Sequence, residues 1–195
     1  MRSPAEHAAT TLLSAATAHV VTPSASARGT PSGLGPATIG GLPAHPLIVH
    51  VPVVLIPLAS LALVLAAVWP AARRKLSWFT PTLALVALAS VPLATESGEW
   101  LSGQMRFTPL IEEHEELAEG LLIWIAGLAV WALLVFGLDT WEQRKGLELR
   151  SPLRRGIAVA TVVGALALSA GSVTQIYLVG ESGAGAVWTG TAAGR

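Results

Sequence analysis

The chain has 195 residues, of which 52% are hydrophobic and only 12% charged, against roughly 25% charged in an average soluble domain. Its mean hydropathy is +0.61, so lipid is the natural solvent for apolar side chains that one soluble core cannot hide. Formal net charge is zero and there is no cysteine; the first removes the basic excess that nucleic-acid binding needs, and the second removes disulfides, thiolate zinc sites, cysteine-ligated iron–sulfur clusters and c-type haem attachment.

Residues 1–40 are rich in Ala, Ser, Thr, Gly and Pro and carry no hydrophobic period, which reads as a disordered N-terminal tail. Arg2, the stretch Thr11–Val21 and Ala25-Ser-Ala27 have the layout of a signal peptide. Ser, Thr and His19 interrupt the apolar stretch, which speaks against cleavage.

Four hydrophobic runs follow, Pro46–Trp69, Leu76–Ala94, Leu117–Leu138 and Ile157–Val179. Each is close to the ~20 residues a helix needs to cross the hydrocarbon core. None shows the short alternating segments of a membrane β-barrel. The expected fold is all-α: a polytopic membrane protein with a four-transmembrane-helix bundle over residues 41–190, helices at about 46–69, 76–95, 109–143 and 154–179, and a short tail at 191–195. Pro46, Pro52, Pro57, Pro81 and Pro92 lie in or beside the first two helices, where neighbouring helices can satisfy the carbonyls they free.

The loops carry the orientation. Arg73, Arg74 and Lys75 separate runs one and two; Arg144, Lys145, Arg150, Arg154 and Arg155 separate runs three and four. The loop between runs two and three has one basic residue, Arg106, against Glu96, Glu99, Glu112, Glu113, Glu115, Glu116 and Glu119. The positive-inside rule then places both termini and the acidic loop outside. Trp69, Trp78 and Trp141 near one set of helix ends, and Trp100 and Trp188 beyond the other, form an aromatic belt. Thr108-Pro109 reads as an N-cap with proline at the first helical position, so helix three starts before the membrane and carries His114 on one face with Ala118, Leu121 and Ile125.

Helix four is rich in small residues, from Gly164 to Ser172, which permit close helix packing. Thr174 and Gln175 are placed to bond across helices. Two catalytic signatures fail: His114-Glu-Glu-Leu-Ala118 lacks the second histidine of a zinc helix, and Gly180-Glu-Ser-Gly-Ala184 lacks the last glycine of a nucleophile elbow. No catalytic residue is assigned, and an enzyme of the soluble type is the least favoured class.

What remains gathers at one end. His45, His50, Glu96, Glu99, His114 and Glu181 all fall on the outer side. Ionisable groups within a span usually have a partner, and neutral histidine is a metal and haem ligand. Each also has a plainer role: His45 in headgroups, His50 bonded to a carbonyl, His114 solvated on an acidic turn, and Glu96 and Glu99 at a solvated helix end.

The stretch Gly41-Leu-Pro-Ala-His-Pro-Leu-Ile-Val-His-Val-Pro resembles the opening motif of a bacterial membrane family, domain of unknown function 2231, with Val51 where the family has an aromatic. Glu113-His-Glu-Glu116 and Gly180-Glu-Ser-Gly-Ala-Gly-Ala-Val-Trp188 resemble its later motifs, the last in the form of actinobacterial members. The resemblance implies a four-helix domain in the bacterial cell (inner) membrane and histidines of interest at 45, 50 and 114. Relatives fused to Rieske or cytochrome-type domains imply electron transfer, although these residues include no cysteine for such a centre.

The first expectation is therefore a redox-associated membrane subunit in which His50 and His114, with His45, bind a b-type haem. A divalent metal held by His50, His114, Glu96 and Glu99 is the ionic form of the same idea. Its partners are the lipid bilayer and other membrane redox subunits, or a second copy of itself, with no nucleic acid. The alternatives are a small transporter component using Glu96, Glu99 and Gln175, and a non-catalytic assembly subunit.

Overall fold

In hydrocarbon an unpaired backbone amide has no water to turn to, so a spanning segment must close its hydrogen bonds within itself. The computed structural model of the chain describes residues 37–106, 108–145 and 151–192. The tail and cleavage readings for residues 1–36 lie outside the described residues, as does Arg150.

A two-stranded hairpin opens the described chain, β1 (Thr38–Ile39) against β2 (Leu42–Pro43), with Ile39 opposite Leu42. Its turn is Gly40-Gly41, both at positive φ (60° and 84°), the pair of left-handed residues that a tight two-residue hairpin requires. The reading of residues 1–40 as tail had no hairpin in it; two strands of two residues leave no alternating pattern to see. Ala44 follows, fully buried, with its N–H donating to the Ala37 carbonyl at 3.1 Å.

Helices α1 (His45–Ile48) and α2 (His50–Val68) make up the first span. Trp69 in extended conformation breaks it, and α3 (Pro70–Leu76) turns back. Arg73 donates from Nε to the Ala66 carbonyl at 2.8 Å and from a guanidinium nitrogen to that of Ala67 at 3.0 Å, so a cation covers the carbonyls that the helix end leaves open.

The second span is α4 (Phe79–Ser102), the third α5 (Pro109–Lys145) and the fourth α6 (Ser151–Ala192). At the start of α5 the Thr108 hydroxyl accepts from the Ile111 N–H at 3.4 Å. All four spans are long and apolar enough to cross a membrane, and the chain is an all-α, multi-pass membrane protein. Two ends differ from the hydropathy reading: α4 runs on past Ala94 to Ser102, and α6 past Val179 to Ala192. The 37 apolar-to-mixed residues of Pro152–Trp188 extend about 55 Å at 1.5 Å per residue, well beyond a ~30 Å hydrocarbon core.

Consecutive spans pack side by side and the fourth closes on the first. Odd spans run one way and even spans the other. This gives the bundle a histidine end, with the hairpin and the α4–α5 connection, and an arginine end, with α3, the end of α5 and the start of α6. Ile56, Leu63, Ile125 and Leu128 fill the core, among alanines that let the helices approach. Apolar side chains such as Val54, Leu61, Ile123 and Val163 face outward, the arrangement expected when lipid is the solvent.

The third and fourth spans lock through Trp131 over Gly164 and Trp124 over Gly171, where any Cβ would overlap the indole. Trp131 Nε1–H donates to the Thr161 carbonyl at 3.1 Å. Gln175 donates across to the Leu117 carbonyl at 2.8 Å, and Ser169 to that of Ser60 at 3.2 Å. Interhelical bonds of this kind average about 0.6 kcal/mol each.

Candidate functional site

The hairpin and buried Ala44 fix the start of the first span, and that places the His45 ring against α4. Its Nδ1 lies 3.0 Å from the Ala94 carbonyl and 3.2 Å from Ser97 Oγ. A carbonyl only accepts, so Nδ1 carries the proton and, in the neutral ring, Nε2 keeps its lone pair. Ser97 donates its own hydroxyl to Ala94 O at 2.8 Å, which leaves its oxygen to accept from the ring.

His114 is held in the same manner by the fourth span. Its Nδ1 is 3.0 Å from Ser182 Oγ, and Ser182 donates to the Val179 carbonyl at 3.0 Å. With its proton on that carbonyl Ser182 accepts from the ring, the arrangement that makes Nδ1 the protonated nitrogen here as well. Among the described residues neither Nε2 has a hydrogen-bond partner.

The two rings meet across the bundle with centroids 6.5 Å apart and planes at 82°. Glycines make room for both: a Cβ at Gly98 would lie 2.9 Å from His45 Cε1, and one at Gly183 would lie 3.0 Å from His114 Cε1. Beside the rings is a cavity of about 380 Å³ with largely apolar walls that include Val49, Ile111, Ala118 and Val179. That is within the size range of small-molecule sites, about 300–1,000 Å³.

The other expected residues divide. His50 is exposed, its Nδ1–H folded back onto the Pro46 carbonyl at 2.7 Å, and it is not among the residues that line the cavity. The ring that meets His114 is that of His45. Glu99 lines the cavity, together with Glu115 and Glu119, whereas the half-buried Glu96 does not. Among the described residues no group of three or more His, Cys, Asp or Glu stands close enough to hold a metal ion. Leu121 and Ile125 are buried and Ala118 lines the cavity, so the His114 face of the third span turns into the bundle.

Ser97, Ser182, Gly98 and Gly183 were not singled out from sequence. The signal is present in the sequence: Glu-Ser-Gly occurs twice, at 96–98 and at 181–183.

A family model described as "Predicted membrane protein (DUF2231)" matches residues 41–193. No curated protein and no solved structure matches the chain.

Proposed function

The chain belongs to this DUF2231 family of predicted membrane proteins, and from that premise we propose that it is a redox-associated subunit whose histidine end holds a histidine-ligated metal centre. The centre is a transition-metal ion or the iron of a b-type haem, ligated by Nε2 of His45 and His114. The observation that carries this reading is the pair of imidazoles 6.5 Å apart, each tied through Nδ1. Two imidazoles that each gave one nitrogen to a single metal at about 2.0–2.1 Å would have ring centres at a comparable separation. Imidazole suits zinc, copper, iron and nickel, and a hydrogen bond from the other ring nitrogen is the usual support of a ligating histidine.

Two protein ligands would leave a bare ion short of a full coordination shell, whereas a porphyrin would supply four nitrogens of its own beside the two histidines. The count of ligands therefore favours haem, and the cavity beside the rings is where a larger group would enter. The Arg- and Lys-bearing connections lie at the opposite end, so the positive-inside rule puts this centre on the extracytoplasmic side of the bacterial cell membrane. Its partners on this reading are lipid and a second redox-active subunit reaching the same end.

The test is an absorption spectrum with metal analysis on the detergent-purified chain, expressed with haem and metals supplied. One Soret-absorbing haem or one metal ion per chain is expected, lost in His45→Ala and His114→Ala and retained in His50→Ala. A chain that carries neither sinks the reading.

A further inference from the structure

The two halves of the site repeat each other. On the second span His45 Nδ1 meets Ser97 and, directly, the Ala94 carbonyl to which that serine donates; on the fourth, His114 Nδ1 meets Ser182, which donates to the Val179 carbonyl. Each carbonyl belongs to the residue three before its serine. Each serine is preceded by a glutamate and followed by the glycine against which the ring lies. A Cβ at Gly98 would be 2.9, 3.1 and 3.7 Å from Cε1, Nδ1 and Nε2 of His45, and one at Gly183 would be 3.0, 3.3 and 3.6 Å from the same atoms of His114.

The repeat extends through the bundle. Counted from His45, the first span buries eight positions, six of which lie seven, eleven, fourteen, fifteen, eighteen and twenty-one residues on: Pro52, Ile56, Ala59, Ser60, Leu63 and Ala66, with Ala62 and Ala67 beside them. Counted from His114, the third span buries the same six: Leu121, Ile125, Leu128, Ala129, Ala132 and Val135. Counted back from its serine, the second span buries Val91, Ala87, Ala84 and Thr80, and the fourth buries Ile176, Ser172, Ser169 and Ala165 at the same offsets, while Pro81, Leu83, Ser90 and Ala94 of the second and Thr161 of the fourth are buried without a buried counterpart. Any two one-sided helices share a spacing of about 3.6 residues. Their phase relative to a histidine or a serine is free, and here it coincides in both pairs.

Spans one and three run in the same direction, as do two and four. A half-turn about an axis between His45 and His114 therefore carries one hairpin of helices onto the other, the relation seen in parallel repeats of membrane proteins. We propose that the chain is two copies of one helical hairpin, and that Ser97 and Ser182 are equivalent positioning residues. Each holds its histidine in the Nδ1–H tautomer, so that both Nε2 lone pairs are offered to one electron-accepting ligand between the halves. The identity of that ligand rests on the metal-centre reading; the tautomers do not.

The experiment is a long-range proton–nitrogen correlation on the full, metal-free chain labelled with ¹⁵N-histidine, in detergent, above the pH range where imidazole ordinarily titrates. It reads which ring nitrogen carries the proton. His45 and His114 should both show Nδ1–H, the form that a solvated histidine disfavours. Ser182→Ala should return His114 to the Nε2–H form and leave His45 alone, and Ser182→Thr should restore it. Ser97→Ala should move His45 less, because the Ala94 carbonyl still accepts. Nε2–H rings in the unmodified protein, or a His114 indifferent to Ser182→Ala, overturn the proposal. Correct tautomers in a chain that takes up neither haemin nor zinc leave it standing while the metal-centre reading falls. Where a metal does bind, Ser182→Ala should weaken it by about 10–100-fold, the usual effect of losing a ligand's support, and Ser97→Ala by less.

Discussion

The same four helices end in opposite ways. At the arginine end the interior is closed: the space enclosed by Arg73, Thr80, Ala132 and Asp139 amounts to about 10 Å³, and Arg73 uses its donors on the carbonyls of Ala66 and Ala67. At the histidine end the helices line a half-open cavity of about 380 Å³, and among the described residues two imidazole nitrogens there have no hydrogen-bond partner. Polar groups at the first end finish the fold, and those at the second are held in position without being used up. Stability and binding should therefore separate between the ends, and substitutions at each can test that.

The largest effect is expected from the histidines. His45→Ala or His114→Ala should lower the affinity for haemin or zinc by more than about a hundredfold, beyond what loss of a supporting residue does. Thermal unfolding in detergent should change little, because each ring meets the cavity on one side. Titration of the purified variants reads the first quantity and a melting curve the second; a large loss of stability without loss of binding would reverse the assignment of the two ends.

Next comes Arg73→Ala. Hydrogen bonds to a charged donor are worth about 1.5–3 kcal/mol when buried, and a half-exposed guanidinium delivers less, so about 1–2 kcal/mol of stability should be lost. Binding at the far end should be unchanged. A binding defect in this variant would show that the arginine end reaches the cavity through the first span.

How much of this was legible beforehand follows from what each signal measures. Hydropathy reports contact with lipid, so the four spans were visible, but it falls silent where a helix leaves the bilayer. That is why α4 beyond Ala94 and α6 beyond Val179 went unread: Glu96-Ser-Gly-Glu99 and Gly180-Glu-Ser-Gly183 look like loop by composition, and they continue as helix. The histidine that faces the bundle was within reach. His45 and His50 are five residues apart, about 140° around a helix, so only one can share the face of Ile56 and Leu63, and their spacing from His45 selects it. The serine partners needed the internal repeat, which shows no single period because 52 residues separate His45 from Ser97 and 68 separate His114 from Ser182.

A smaller effect is expected at the glycines behind the rings. Gly98→Ala and Gly183→Ala put a methyl group about 3 Å from the imidazole, closer than ordinary van der Waals contact, so the ring must turn from its serine. Affinity for the metal probe should fall by about tenfold, at the lower edge of a support defect, with similar values for the two variants. Unequal losses would mean that the two half-sites share geometry without sharing work.

The smallest effect, and the one whose sign says most, is at Thr80. Among the described residues its hydroxyl, buried at the closed end, has no hydrogen-bond partner, and it borders the 10 Å³ space beside Arg73 and Asp139. A space of about 10–15 Å³ is the least that admits one water molecule, which then needs two or more polar partners. If the end is dry, Thr80→Val removes an unsatisfied hydroxyl and stabilises the protein by up to about 1 kcal/mol. If one water bridges Thr80 to Arg73 or Asp139, the same substitution destabilises it by a similar amount. The contrast between a closed end and an open one predicts the dry outcome: a higher melting temperature for Thr80→Val, and unaltered binding at the histidines.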